Sequence, residues 1–174
     1  MSRLRFAVLV LAVLVAAAPM ARADGPSPIQ IAVFSPVQIV APTKSVSGLR
    51  LDLIYGKNAN VTGIDWGLVN HDTGNGFAWQ VGIVNCVEKD FTGWQDGGLN
   101  WTKGSFTGFQ SGLFNGTETM NGIALGWINK SRSMRGLQLG LVNYTETMHG
   151  LQVGVANIIQ KGKIPFLPVV NWSF

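Results

Sequence analysis

The sequence is poor in the residues on which most catalytic and metal sites depend. It contains one cysteine, Cys86, and two histidines, His71 and His149, among 174 residues. A single cysteine excludes an internal disulfide, so packing and backbone pairing must stabilise the fold. The two histidines fit ordinary surface positions, and no third ligand completes a zinc site with Cys86. We therefore predict a protein that is not an enzyme and that has no metal and no cofactor, and we interpret Cys86 as a partly buried apolar residue.

Long apolar runs are absent except at the amino terminus. Arg3 and Arg5 precede the run Phe6–Ala18, and the small residues of Ala21–Ala23 follow it. This order is typical of a cleaved secretory signal, and the run is shorter than the ~20 residues of a membrane-spanning helix. We predict that residues 1–23 are removed and that the protein is exported.

Net charge is also small once the signal is removed. The whole chain carries a formal charge of +4, but Arg3, Arg5 and Arg22 lie within the predicted signal. Ten basic residues then remain against nine acidic ones. A balance this close to neutral indicates no nucleic-acid partner.

A repeat of 14 or 15 residues fills most of the remaining chain. In its clearest copy, Gly136–Asn143, glycine, glutamine, glycine and asparagine are interleaved with leucine and valine. The first glycine recurs at Gly48, Gly63, Gly93, Gly108, Gly122, Gly136 and Gly150, with Ala78 in the third copy. The asparagine recurs at Asn70, Asn85, Asn100, Asn115, Asn129, Asn143 and Asn157, with Tyr55 in the first copy. Glutamines form a further column at Gln80, Gln95, Gln110, Gln138 and Gln152. Eight units fit one template.

Apolar residues alternate with polar ones inside each unit, which indicates an extended strand with one apolar face and one Gly-Gln-Gly face. We predict an all-β fold, a β-solenoid-like stack of eight units with terminal cap strands. Stacking gives every column a constant environment and lets the asparagines form a hydrogen-bonded structural ladder. The alternative is a small antiparallel outer-membrane β-barrel, which the terminal Phe174 and the even number of units favour. The clean alternation covers about seven residues, short of the ~9–11 of a spanning strand.

The predicted organisation has three parts after the signal. Residues 24–45 form an N-terminal cap, residues 46–160 the eight-unit repeat domain and residues 161–174 a C-terminal cap. Pro165 and Pro168 suit an edge strand, because proline donates no hydrogen bond to a sheet.

Several segments carry a resemblance to a known family. They are the G-L-Q-L-G-L-V-N units, the opening VSGLRLDLIYGKNANVTGIDWGLVN of residues 46–70 and the ending PFLPVVNWSF of residues 165–174. These segments resemble the bacterial surface-repeat proteins, and the resemblance covers almost all of residues 24–174. It implies a location in the periplasm, outer membrane or cell surface of a Gram-negative bacterium, and it implies no established activity and no catalytic residues. The fourth unit departs from the pattern, because Asp96, Gly98 and Trp101 interrupt its apolar alternation.

Aromatic residues provide the candidate binding strip. Trp79, Trp94 and Phe109 follow one another in a single column. The favoured interpretation is that this column packs in the core. If it faces outward, the strip is a surface for sugars or another chain, with Asp96 and Trp101 as the first place to look. We therefore predict a non-catalytic structural or binding module of the envelope whose partner or glycan is unknown. The alternative is an integral outer-membrane protein, and outer-membrane association and oligomeric state stay open.

Overall fold

The computed structural model describes residues 25–174, and the predicted signal peptide lies outside this range. The described chain is a single sheet of seven strands in the order β2-β1-β3-β4-β5-β6-β7. The strands are β1 Ser27–Phe34, β2 Val37–Gln38, β3 Val46–Asn58, β4 Val61–Asp72, β5 Gly76–Val87, β6 Phe91–Ile159 and β7 Phe166–Ser173. Strand β6 alone has 69 residues and runs through the fourth to eighth repeats without a break.

Consecutive repeats pair in parallel, with equivalent positions side by side. Trp79 of the third repeat pairs with Trp94 of the fourth, and Asn85 pairs with Asn100. The same offset of 14 or 15 residues continues through β6, where Asn115 hydrogen-bonds to Asn129 and Asn143 to Asn157. Each repeat is therefore one coil, and the predicted β-solenoid is confirmed. The antiparallel alternative is wrong, because a meander would pair consecutive repeats in opposite directions.

The first glycine of each repeat is required by its backbone conformation. Its φ lies between +112° and +152° in the seven repeats that have it, a region that side chains with a Cβ rarely adopt. A Cβ there would also lie closer than 3.0 Å to a backbone carbonyl oxygen of the preceding coil or strand. This steric constraint explains why glycine recurs at the position in seven of the eight repeats. Only the third repeat has another residue there, Ala78.

The first repeat is irregular in structure as well as in sequence. Its pairing with the second repeat shifts by one residue between Asp52 and Tyr55. As a result Gly56, and not Tyr55 as the spacing predicted, lies beside Asn70. The prediction was wrong because counting positions cannot detect a bulge that takes up one residue.

The main column of the apolar core lies two residues before the first glycine. It contains Val46, Val61, Phe91, Phe106, Met120, Met134 and Met148. The rings of Phe91 and Phe106 stack with centroids 5.3 Å apart and an interplanar angle of 13°. In the third repeat the position is Gly76, and the Phe91 ring occupies the space that a side chain would need. Ala78, Val87, Ala124 and Ile159 add to this core from other columns, and most of the remaining interior is polar.

Both ends of the stack are covered by strands. At the amino-terminal end β1 adds in parallel to β3, so that Ile29 pairs with Leu49, and the two-residue β2 forms the outer edge. At the other end β7 adds antiparallel to the last repeat, so that Trp172 pairs with Leu151. The residues predicted to form the two caps therefore extend the sheet by a strand at each end.

Candidate binding face

The buried asparagines form a continuous ladder through the solenoid. The Nδ2 of Asn70 donates to the Oδ1 of Asn85 at 2.8 Å, and each later asparagine donates to the next in the same way. The same Nδ2 also donates to a backbone carbonyl of the next coil, such as that of Val81. All seven side chains are almost completely buried. Because only the Oδ1 of Asn70, at the start of the ladder, has no hydrogen-bond partner, the amides occupy the interior at little cost in unsatisfied polar groups.

A second ladder runs through the glutamine column. The Nε2 of Gln95 donates to the Oε1 of Gln80 at 2.6 Å, and Gln110 donates to Gln95 at 2.7 Å. Ala124 interrupts the column in the sixth repeat, and the Nε2 of Gln138 instead lies 3.3 Å from the hydroxyl of Ser131. Side chains that sequence reasoning placed on the Gly-Gln-Gly face are therefore the interior of the coil.

The amino-terminal end of the glutamine column is charged. Arg50 and Asp65 occupy the glutamine position in the first two repeats, and the guanidinium binds both carboxylate oxygens of Asp65 at 2.6 Å. The Nη2 of Arg50 also lies 2.6 Å from Asp72, and its Nε lies 3.2 Å from Asp52. All four side chains are inaccessible to solvent. We name this set the Arg50 cluster.

The Arg50 cluster has more acid than base, since one guanidinium faces three carboxyl groups. Burial raises the pKa of Asp52 and of Asp72 from 3.8 to about 7, although the Arg50 charge acts in the opposite direction. Asp52 has only this ion-pair contact with Arg50, and neither of its carboxylate oxygens accepts a well-directed hydrogen bond. Near neutral pH the cluster therefore holds protons that the same carboxyls lose in the unfolded chain. Sequence reasoning missed the cluster, although charged residues in the glutamine column were a visible signal.

Stability is expected to fall as the pH rises across the range in which these carboxyls titrate. A pKa that is 3.8 unfolded and about 7 folded means that the native state binds the proton more tightly. The associated stability is present below about pH 4 and is lost as the pH rises to about 7. For one carboxyl the difference corresponds to about 4 kcal/mol.

We expect Asp52→Asn to raise the free energy of unfolding at pH 8 and to leave it nearly unchanged at pH 4. Denaturant titrations at both pH values measure this, with the exposed Asp90→Asn as control. An equal effect of Asp52→Asn at both pH values would contradict the assignment.

The outer side of the coil is apolar. Trp79 is 45 % exposed and Trp94 is 50 % exposed, so the aromatic column points outward and the favoured core-packing interpretation is wrong. The physical reason is that the two amide ladders and the apolar core column already fill the interior. We define the outer apolar face as the first, third and fifth positions after the first glycine. It comprises Leu49, Leu51, Leu53, Ile64, Trp66, Leu68, Trp79, Val81, Ile83, Trp94, Asp96, Gly98, Phe109, Ser111, Leu113, Ile123, Leu125, Trp127, Leu137, Leu139, Leu141, Leu151, Val153 and Val155.

The aromatic rings on this face pack against one another and do not form a flat platform. The ring planes of Trp66 and Trp79 are inclined by 87°, those of Trp79 and Trp94 by 46°, and those of Trp94 and Phe109 by 73°. Stacking of sugar rings along a strip needs aromatic faces turned the same way toward solvent, an arrangement that these rings do not form.

The predicted strip is only partly assembled. Trp79, Trp94, Phe109 and Asp96 lie together on the outer apolar face. Trp101 lies in a different column, next to Cys86, and its ring stacks on Phe114 with centroids 5.9 Å apart. The structure therefore does not bring Trp101 to the strip.

A small polar network lies outside the face, around His71. Its Nδ1 is 2.9 Å from the hydroxyl of Tyr55, and its Nε2 is 3.0 Å from Glu88. The hydrogen bond from His71, together with the Lys103 charge, holds the pKa of Glu88 below its usual value. Cys86 is the neighbour of His71 in the next coil, as its column predicted, and burial raises the pKa of its thiol. The Cys86 sulfur is therefore protonated near neutral pH and is a weak nucleophile.

Residues 25–174 contain neither a metal-binding cluster nor a membrane-spanning helix. No group of three or more histidine, cysteine, aspartate or glutamate side chains is arranged to hold a metal ion in that range. No helix of that part of the chain is long and apolar enough to cross a membrane.

The fold and the face were also compared with known proteins. The chain matches no family model, no curated protein and no solved structure.

Proposed function

We propose that the protein is a non-catalytic structural or binding module of the bacterial envelope that works through its outer apolar face. The observation that carries this proposal is the composition of the face. Of its 24 positions, only Asp96, Gly98 and Ser111 are not large apolar residues. An apolar patch of this extent is at the upper end of what monomeric soluble proteins usually expose, and such patches mark interaction sites.

The size of the face supports the same proposal. Five strand positions span about 14 Å, and eight coils plus one cap strand at each end span about 43 Å. The projected area is thus about 600 Å², which is close to the ~800 Å² of accessible surface that each partner buries in a standard protein interface. Side chains that protrude from the sheet add further area.

The location rests on the amino-terminal residues and on the resemblance to the surface-repeat proteins. A secretory signal and a single cysteine fit an exported envelope protein. The alternative of an integral outer-membrane protein required an antiparallel barrel, and the coils of this chain stack in parallel. Peripheral attachment to a membrane stays compatible with the outer apolar face.

The proposal is tested by placing a charge on the face. The chain from Asp24 to Phe174 is measured for self-association by sedimentation, and for binding to vesicles of phosphatidylethanolamine and phosphatidylglycerol and to insoluble peptidoglycan. We expect at least one of these associations, and we expect Leu125→Glu to weaken it at least about tenfold, because a carboxylate would be desolvated in the interface.

The matched control is Thr147→Glu, which adds the same charge at an exposed strand position outside the face. It is expected to leave every association unchanged. Circular dichroism of both variants establishes that the coils are intact. If the unmodified chain shows none of the three associations, or if both variants behave alike, the proposed function is wrong.

A further inference from the structure

The two end strands continue the outer apolar face and do not close it. Ile29 and Ile31 of β1 pair with Leu49 and Leu51, the first residues of two face columns. At the other end Trp172 and Val170 of β7 pair with Leu151 and Val153. The face therefore has ten strand levels, and its midpoint lies between the fourth and fifth repeats.

The three exceptions to the apolar composition all lie at this midpoint. Asp96 and Gly98 belong to the fourth repeat and Ser111 to the fifth. Asp96 and Ser111 are consecutive members of one column, the third position after the first glycine, and both side chains are half-buried. A polar position would be equally tolerable anywhere on a surface that faces only water, so their placement at the centre needs a cause.

We propose that the outer apolar face binds a second copy of this chain, antiparallel, about a two-fold axis between the fourth and fifth repeats. This inference rests on the proposed function and names its partner. The axis runs along the strands, so each column meets the same column of the second copy. The first repeat then meets the eighth repeat of the second copy, the second meets the seventh, the third meets the sixth and the fourth meets the fifth. Asp96 then faces Ser111 of the second copy, and Ser111 faces the second copy's Asp96.

The same operation matches large side chains with smaller ones. Gly98 faces Leu113 of the second copy, and no tryptophan of the face meets another tryptophan. The pairs are Trp66 with Leu139, Trp79 with Ile123, Trp94 with Phe109, Trp127 with Ile83 and Trp172 with Ile29. A depression of about 420 Å³ lined by Ser111, Leu125, Trp127 and Leu139 lies opposite repeats two to four of the second copy. Isologous interfaces require this kind of self-complementarity.

Parallel packing of two copies lacks these matches. A two-fold axis along the solenoid would place Asp96 against Asp96 and Trp66 against Trp66 of the second copy. Two carboxylates in an apolar interface repel each other and lose their hydration.

A lipid surface is also a poorer occupant, because the hydrocarbon would offer Asp96 no hydrogen-bond donor, whereas the second copy offers the Ser111 hydroxyl.

Substitutions at Ser111 test both the partner and its direction. The chain from Asp24 to Phe174 is expected to sediment as a dimer. Ser111→Glu places a carboxylate opposite Asp96 and is expected to raise the dimer dissociation constant at least about a hundredfold. Ser111→Lys pairs with Asp96 and is expected to leave the dimer as tight or tighter. In a parallel dimer Ser111→Lys would instead face itself and weaken association.

Each outcome is decisive for the inference. The antiparallel dimer is supported if Ser111→Glu dissociates it while Ser111→Lys and the distant Thr147→Glu both leave it intact. Equal weakening by Ser111→Glu and Ser111→Lys overturns the antiparallel register. A chain that stays monomeric at all concentrations overturns the inference. In that case vesicle or peptidoglycan binding that Leu125→Glu abolishes would still uphold the proposed function. All substituted side chains point outward, and circular dichroism identifies any variant that fails to fold.

Discussion

Gly108→Ala is expected to unfold the solenoid from its middle. The φ of Gly108 is +132°, and an added Cβ would lie closer than 3.0 Å to the carbonyl oxygen of Gly93 in the preceding coil. Backbone strain of this kind costs about 1–3 kcal/mol, and the clash with a neighbouring backbone that cannot rotate away adds more. We expect a loss of at least about 4 kcal/mol, which lowers the melting temperature by about 10 °C or more for a domain of this size.

The control for this substitution is Gly98→Ala. Gly98 lies on the outer apolar face, its φ is not in the positive region, and its nearest obstacle is the Ile83 carbonyl oxygen at 3.1 Å from the added Cβ. A change of about 1 kcal/mol or less is expected there. Thermal and denaturant unfolding of both variants measure the difference. Similar melting temperatures for Gly108→Ala and Gly98→Ala would show that the positive-φ column does not limit the fold.

Arg50→Gln is expected to destabilise the chain strongly and in a pH-dependent manner. The substitution supplies the residue that occupies this column in later repeats, but it leaves Asp52, Asp65 and Asp72 buried together without a cation. Removing one partner of a buried ion pair typically costs about 3–5 kcal/mol, and we expect Arg50→Gln to lose about that much stability near neutral pH. At pH 4 Asp52 and Asp72 are mostly protonated, because burial raises the pKa of each to about 7, so the loss is expected to be considerably smaller.

Denaturant unfolding at pH 8 and pH 4 measures this effect. The double variant Arg50→Gln with Asp65→Gln extends the uncharged glutamine ladder by two coils and removes one of the three carboxyls. It is expected to recover part of the stability lost at pH 8. If Arg50→Gln alone were as stable as the unmodified chain at pH 8, the buried carboxyls would not depend on the guanidinium.

The coil spacing is the part of the structure that the sequence predicts best. The residues equivalent to Gly136, Gln138 and Asn143 recur in most copies, which requires one environment per column, and only parallel stacking in register provides it. The alternation of apolar and polar residues also predicts two faces correctly. It cannot say which face is inside, because period two is the same for both orientations.

The expectation that apolar residues go inside was the source of the error at Trp79 and Trp94. That expectation holds where buried polar groups would lack partners. Here Asn85 and Gln95 find partners in equivalent residues one coil away, so the ladders remove the usual penalty. The Arg50 cluster escaped prediction for a related reason. Asp72 reaches Arg50 across the coil from another column, and a contact between columns is not visible in a list of spacings.

The constant offset of 14 or 15 residues between hydrogen-bonded partners also bears on how the chain folds. Almost all pairing in the repeat domain joins residues one coil apart, so the mean sequence separation of contacts divided by length is about 0.1, a value that helical bundles usually show. Other all-β proteins of this size must close long loops before their strands can pair. In this chain each new coil closes a loop of only one repeat on a template that already exists. Folding by coil-to-coil addition should therefore be fast for a β protein, and the slow step is formation of the first pair of coils.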